Sequence, residues 1–347
     1  MHKQFIQKTL LPSLLLFVVF ACNPPAKIKA ITPAFYYWKS EFKLNKTEQK
    51  ILQDNHIKKL YIKFFDIDLE NNQPVAKASL QFLSKPDTGI NIVPTVFITN
   101  KTILAIHKTV EVDSLAKKLL DKIKTIANDL SYNEIQIDCD WTPNSRKRYF
   151  DLLSKLKKQL PSSKILSATI RLHQIKFPDI TGVPPVDRGM LMCYNMADWK
   201  NANTKNSIFD PKVLAQYIEH LDQYDLPLDV VFPSFRWTIF YRNDRFLKFS
   251  NNLDAKTLDS YTFLEKTSQN RFQCRQDTFA LGMSLRKGDL LRTEQVLMED
   301  LLTEKERILS KISNQKLTFT LFHLDSTSLA PYSHAAIQKI FVNQTQN

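Results

Sequence analysis

Glycine is scarce. The 347 residues hold only 5, none at the G-x-G-x-x-G or G-x-x-x-x-G-K spacing that brings backbone amides against a phosphate. Dinucleotide and nucleoside-triphosphate folds built on such loops are therefore excluded. Cysteine is scarce too, with 4 in the chain. Cys22 apart, the thiols Cys139, Cys193 and Cys274 are odd in number and lack C-x-x-C spacing, and Cys139 and Cys193 fall in apolar strand patterns. Buried core thiols are expected in place of a disulfide or a zinc site, and no metal or cofactor is expected. Beyond the N-terminus no segment approaches the roughly 18 consecutive apolar residues of a membrane span. There is no internal repeat and no low-complexity tract.

What is present is globular: 43% apolar and 24% charged residues, with 23 phenylalanines and 16 prolines for a large aromatic core. The length allows one large domain or two. The formal charge is +13, but Lys and Arg are dispersed, and the only dense group, Ser145-Arg146-Lys147-Arg148, opens a helical pattern. Nucleic acid is not the expected partner. Beside a solvated basic surface, the charge suits an anionic lipid or an acidic glycan. A monomer is expected.

The first residues read MHKQFIQKTLLPSLLLFVVFAC. Lys3 and Lys8 precede an apolar run from Leu10 to Phe20, too short for an ordinary span and right for the core of a signal peptide. Val19-Phe20-Ala21-Cys22 resembles the lipoprotein box of bacteria, in which the Cys after a small residue receives the lipid; Phe20 is bulkier than that box usually carries. The resemblance implies cleavage after residue 21, a lipid on Cys22, and a tether over 22–30 that includes Asn23-Pro24-Pro25. It places the protein on the cell envelope, at the outer membrane because no Asp follows Cys22, anchored and not spanning.

From residue 31 to 347, short β-rich runs alternate with amphipathic helical ones. The runs are Pro33–Trp38, Lys59–Asp68, Asn91–Ile98, Glu134–Trp141, Ile165–His173, Met190–Met196, Asp229–Trp237 and Leu317–Asp325. Helices are expected around Lys46–Asp54, Val112–Asp129, Ser145–Leu160, Pro211–Tyr224, Glu294–Ile312 and Tyr332–Val342. Eight strands separated mostly by helices predict an α/β (β/α)₈ TIM barrel, with an open doubly wound sheet as the alternative. The gap between strands seven and eight, about 80 residues, far exceeds one crossover. It predicts a lobe inserted at about 241–292, before helix seven, with a hairpin of Arg271–Ala280 and Met283–Leu290.

Active sites of such barrels lie at the C-terminal strand ends. Strand four puts Gln136, Asp138 and Asp140 on one face and Ile135, Ile137, Cys139 and Trp141 on the other, so the carboxylates are expected inside. Strand five puts Thr169, Arg171 and His173 together, and Arg171 is the expected partner of Asp138 or Asp140; for hydrolysis the pairing with Asp138 is taken, leaving Asp140 to hold a proton as general acid. Asp68, Asp198 and Asp325 are candidates for a second carboxylate; an interior ion-pair network without catalytic duty is the plainer alternative. Trp38, Trp141, Trp199 and Trp237 all fall near strand ends, and indole faces stack well on sugar rings. Tyr194, Tyr241 and Arg236 are expected at the same rim.

Ile137-Asp138-Cys139-Asp140-Trp141 resembles the strand-four signature D-x-x-D-x-D-x-E of the chitinase-like glycosidases, and Met192-Cys193-Tyr194-Asn195 resembles their strand-six M-x-Y-D. That family also carries an α+β insertion after strand seven. The resemblance implies a glycosidase-like barrel and a glycan ligand. The departures are at the chemistry: the family's proton-donating Glu falls on Thr142, the first Asp of its motif on Ile135, and its strand-six Asp on Asn195. Two readings therefore stand, an envelope glycosidase using Asp140 with Asp138 and Arg171, and a glycan-binding lipoprotein that has lost the acid. A third, metal-dependent hydrolysis through His323, Asp325, Asp66 and Asp68, lacks the H-x-H pair such barrels carry on strand one, where this chain reads Phe35-Tyr36-Tyr37-Trp38.

Overall fold

A computed structural model describes residues 29–342 except 107 and 108. The leader, Cys22 and most of the tether lie outside the described residues.

Eight parallel strands close into a ring: β1 (Ala30–Tyr37), β2 (Lys59–Glu70), β3 (Asn91–Ile98), β4 (Glu134–Asp138), β5 (Ile165–Arg171), β6 (Arg188–Met192), β7 (Leu228–Pro233) and β8 (Lys316–Phe322). Each pairs with its sequence neighbours, and β1 pairs with both β8 and β2, so the ring has no open edge. The doubly wound alternative is thereby excluded. A short antiparallel strand, Gln73–Lys77, extends β2 outside the ring.

Alternation along the strands sorts the side chains. Outward residues such as Phe35, Leu60, Ile135, Ile170 and Phe319 pack under the helices in one large cluster. Those helices include α1 (Lys46–Asp54), α2 (Thr109–Ala127), α3 (Arg146–Gln159), α4 (Met298–Lys311) and α5 (His334–Phe341). Helix α1 starts at Asn45, whose side chain accepts from the Glu48 amide while Glu48 reaches back to the Asn45 amide, a reciprocal cap. Inward residues Ala34, Tyr36, Tyr61, Val93, Met190, Met192 and Val231 form a separate interior cluster. At Gly189 in β6 a Cβ would meet Ile170 Cγ1 at 2.7 Å, so only glycine lets the strand lie this close to its neighbour.

Several strands end earlier than the sequence pattern predicts. Strand β4 stops at Asp138, β5 at Arg171 where Leu172–Lys176 turns helical, β6 at Met192 and β8 at Phe322. His173 therefore sits on a short helix and not on a strand face. The stretch expected as one helix over Pro211–Tyr224 is a turn of α-helix, Pro211–Ala215, followed by a 3₁₀ segment. Strand β2 carries a bulge between Lys63 and Phe65, which turns two consecutive phenylalanines outward and keeps Lys63 and Asp66 on the same side.

After β7 the chain leaves the barrel. Trp237–Arg242 is the first strand of a five-stranded antiparallel sheet and not the end of β7. The strand order is Arg245–Ser250, Trp237–Arg242, Leu290–Glu294, Arg271–Cys274 and Leu264–Ser268, with a helical turn at Ala255–Asp259. The predicted hairpin is present in two pieces. Arg271 lies opposite Arg292, and Thr278 opposite Leu285, on either side of an irregular stretch. No described helix is long and apolar enough to cross a membrane.

Candidate functional site

At the C-terminal mouth a cavity of about 200 Å³ is lined by Trp38, Phe97, Asp138, Asp140, Arg171, Met192, Tyr194, Asn195 and Phe322. Strand-end alternation delivers most of these residues. Trp38 follows β1, Asp138 ends β4, Arg171 ends β5 and Phe322 ends β8.

Asp138 is half-buried at the cavity floor, where its Oδ1 accepts a 2.7 Å hydrogen bond from Thr169 Oγ1. Burial pushes its pKa up to about 7. Thr169 and Arg171 pull it down, and the neighbouring charges of Asp140 and Asp66 push it higher. Asp140 is exposed, and Arg171 Nη1 lies 2.9 Å from its Oδ1. The predicted pairing is thus reversed: Arg171 serves Asp140, and Asp138 is the carboxyl that holds a proton near neutrality. The reason is depth. Asp140 stands past the strand end, in reach of the guanidinium and of water, while Asp138 is held inside by the ladder.

Thr142, where the resemblance puts an acid, donates its backbone amide to Ser145 Oγ (2.9 Å) in the turn that starts α3, as part of a helix entry.

The four tryptophans do not share a rim. Trp38 lines the cavity, in contact with Tyr36, Phe322 and the Lys63 ammonium, 5.8 Å from its ring centre. Trp141 is buried behind β4, stacked on Tyr149 of α3 and donating Nε1–H to the Thr181 carbonyl at 3.0 Å. It follows the outward face of its strand and cannot touch a ligand. Trp237 and Trp199 belong to the insertion contact: Trp237 stacks on Phe249 at 4.8 Å, and Trp199 meets Phe246 and Phe249, both at 4.7 Å. Ring contacts nevertheless run without a gap from the cavity to this group. Trp38 touches Phe322, Phe322 touches Tyr194, Tyr194 touches Phe235, and Phe235 touches Trp237.

Other expected residues are occupied elsewhere. Arg236 pairs with Asp254 at 3.0 Å under the insertion, away from the mouth, because it belongs to the turn into the inserted sheet. Tyr241 is buried and donates to the Trp199 carbonyl. Asp66 pairs with Lys63, and Lys101 holds the Asp68 carboxyl below its usual range. Asp325 caps a short helix at Ser328, and Asp198 turns back on the Lys200 amide. None of these four lines the cavity. Burial lowers the pKa of His323 and of His173, the latter helped by Arg171. Among the described residues no group of three or more His, Cys, Asp or Glu is placed to hold a metal ion. Phe97, Met192 and Phe322 are lining residues that sequence reasoning missed; for Phe322 the signal was there, since Thr318, Thr320 and Phe322 alternate on one face of β8.

Fold and site together define a closed (β/α)₈ barrel with an α+β insertion after the seventh strand and a small polar-aromatic mouth. No protein-family model matches the chain, and no curated protein matches it. Solved structures do share the fold. A chitinase from Chromobacterium violaceum superposes with a TM-score of 0.53 at 10% identity, covering 91% of this chain and 100% of that one. The spore cortex-lytic enzyme SleL of Bacillus cereus gives 0.52 at 13% identity, covering 92% and 76%. SleL of Bacillus megaterium gives 0.53 at 11%, covering 92% and 75%. The chain is similar to this chitinase and these cortex-lytic enzymes in architecture.

Proposed function

We propose that this chain is a glycan-binding barrel protein of the cell envelope, tethered as a monomer by a lipid on Cys22. The observation that carries the ligand class is the mouth itself, where the rings of Trp38, Tyr194 and Phe322 meet Asp138, Asp140, Arg171 and Asn195 in one cavity. Aromatic faces for a sugar's C–H surface, with a few polar groups for its hydroxyls, are what a carbohydrate site requires. The volume suits one sugar ring, and the aromatic contacts toward Trp237 and Phe249 offer a path for the next units of an oligosaccharide. Fold likeness to a chitinase and to cortex-lytic enzymes supports the same ligand class by analogy. Binding takes precedence over turnover because Thr142 is no acid and Asp140 is tied to Arg171.

Calorimetric titration with amino-sugar and neutral oligosaccharides tests this reading. Saturable binding that Trp38→Ala weakens is the expected result, and no heat with any glycan overturns it. For the anchor, Cys22→Ser should leave the chain unlipidated by mass spectrometry; an unchanged mass of the mature parent without lipid sinks that part.

One observation favours turnover as a second reading: Asp138 keeps its proton to about pH 7 at the cavity floor. Glycosidic cleavage would then pass that proton to the leaving oxygen while an oxygen nucleophile attacks the anomeric carbon. In this reading Asp138→Asn abolishes reducing-end release and preserves affinity, whereas Asp140→Asn leaves release measurable. Absence of release by the parent on every glycan it binds leaves binding as the whole function.

A further inference from the structure

Between Met192 and the helical turn at Pro211, the loop after β6 has no regular structure of its own. Its backbone carbonyls need donors, and the insertion supplies them. Arg292 is fully buried, its Nε bonded to Glu294 Oε1 at 2.6 Å. Its other nitrogens donate to the carbonyls of Asn201 (2.7 Å), Ala202 (3.0 Å) and Trp199 (3.2 Å). Arg271, opposite it in the sheet, donates to Ala202 (2.6 Å) and Thr204 (2.9 Å). Tyr241 adds its hydroxyl to the Trp199 carbonyl at 2.5 Å. Glu294 Oε2 then receives the Ser207 amide (2.9 Å), the Ser207 hydroxyl (2.5 Å) and the Trp237 indole N–H (2.8 Å).

We propose that Arg292 and Arg271 are positioning residues that clamp the β6 loop onto the insertion, so that Trp199, Phe249 and Trp237 form a second aromatic platform for sugars beyond the one in the mouth. The inference rests on the glycan reading above and adds to it the length of the ligand. A planar guanidinium has five N–H donors in a fixed fan and spans several carbonyls at once; an ammonium offers three from a single point. Burial of Arg292 is compensated by Glu294, so that pair is neutral and its carbonyl bonds are shielded from competing water, while Arg271 adds one positive charge to the clamp. Without it the carbonyls of Asn201, Ala202 and Thr204 lose these donors, and Trp199 is held less firmly against Phe246 and Phe249. The signal could not be read from spacing, because Arg292 lies about 90 residues from the carbonyls it serves.

Hydrogen exchange of amides 196–207, with calorimetry on chitin oligosaccharides of two and five sugars, tests the clamp in the full chain. Arg292→Lys should speed exchange in that loop by about tenfold or more while the barrel strands stay protected. The pentamer's affinity should fall to that of the dimer, with the dimer's own affinity unchanged. Should Arg292→Lys fail to fold, Arg271→Lys and Tyr241→Phe each remove part of the bonding without burying a lone charge and should shift both readouts in the same direction. Unchanged exchange over 196–207 overturns the clamp. Faster exchange with undiminished preference for the pentamer overturns the platform, leaving the arginines a folding role. A parent that binds neither oligomer sinks the glycan reading, and the exchange data then judge the clamp alone.

Discussion

The two ends of the barrel use the same side chains to opposite ends. At the N-terminal end Arg188 grips Asp229 with two 2.7 Å bonds, the Thr318 amide adds a third, and Lys59 meets Glu134 at 3.0 Å while Ser167 donates to the same carboxyl at 2.7 Å. Asp229 and Glu134 are buried, and each has its counter-charge in Arg188 and Lys59. At the mouth Arg171 contacts only the outer carboxylate, and Asp138 below it accepts from a hydroxyl and feels Arg171 only at a distance. Completed pairs hold the strands in register. Burial raises the Asp229 carboxyl too, with Arg188 and the Thr318 amide pulling it back, whereas at Asp138 no cation in contact opposes burial and the pKa reaches about 7. Residue type alone does not separate these roles, but the position of the counter-charge does.

The largest effect expected from this contrast is on stability at the lower end. Asp229→Ala strands Arg188 and should cost about 3 kcal/mol in urea unfolding; a loss below about 1 kcal/mol would show that the lower pairs are as dispensable as surface ones.

Asp138 sets the next effect. Its folded-state pKa is raised above the unfolded carboxylate value, so the folded chain binds the proton more tightly. Its contribution is full below the unfolded pKa near 4 and is lost as pH rises toward about 7. Allowing for solvent at the mouth, the parent should lose about 1–2 kcal/mol between pH 4 and 8, and Asp138→Asn should remove that slope. An identical slope in both chains breaks the assignment.

Smaller still, Trp38→Ala should weaken oligosaccharide binding by about tenfold, the scale of one lost aromatic contact. Trp141→Phe should leave affinity unchanged and cost about 1 kcal/mol of stability for its buried bond to Thr181. Equal losses of affinity in both would erase the distinction between cavity-lining and structural indoles.

Much of the fold was legible because alternation and periodicity are local. Asn91–Ile98 is β3 to the residue, and the outward run Ile135, Ile137, Cys139 correctly turned Asp138 inward. The same alternation assigns Trp141 to the outer face; grouping it with the rim followed sequence proximity to a strand end against the pattern. Which of the two carboxylates Arg171 takes was not legible, because Asp138 and Asp140 share a face and differ only in depth, which the strand's end decides. Nor was the union of Trp199 with Phe246 and Phe249, which depends on how an antiparallel sheet folds back across a long insertion.

The mouth's central property is a carboxyl, Asp138, that burial raises to about 7 in the cavity where the proposed glycan would sit. Carboxyl ¹³C NMR of Asp138, titrated with and without a chitin oligosaccharide, reads it directly. A midpoint near 7 that moves when the sugar is added is the predicted result; a midpoint in the ordinary carboxylate range, unmoved by sugar, would contradict it.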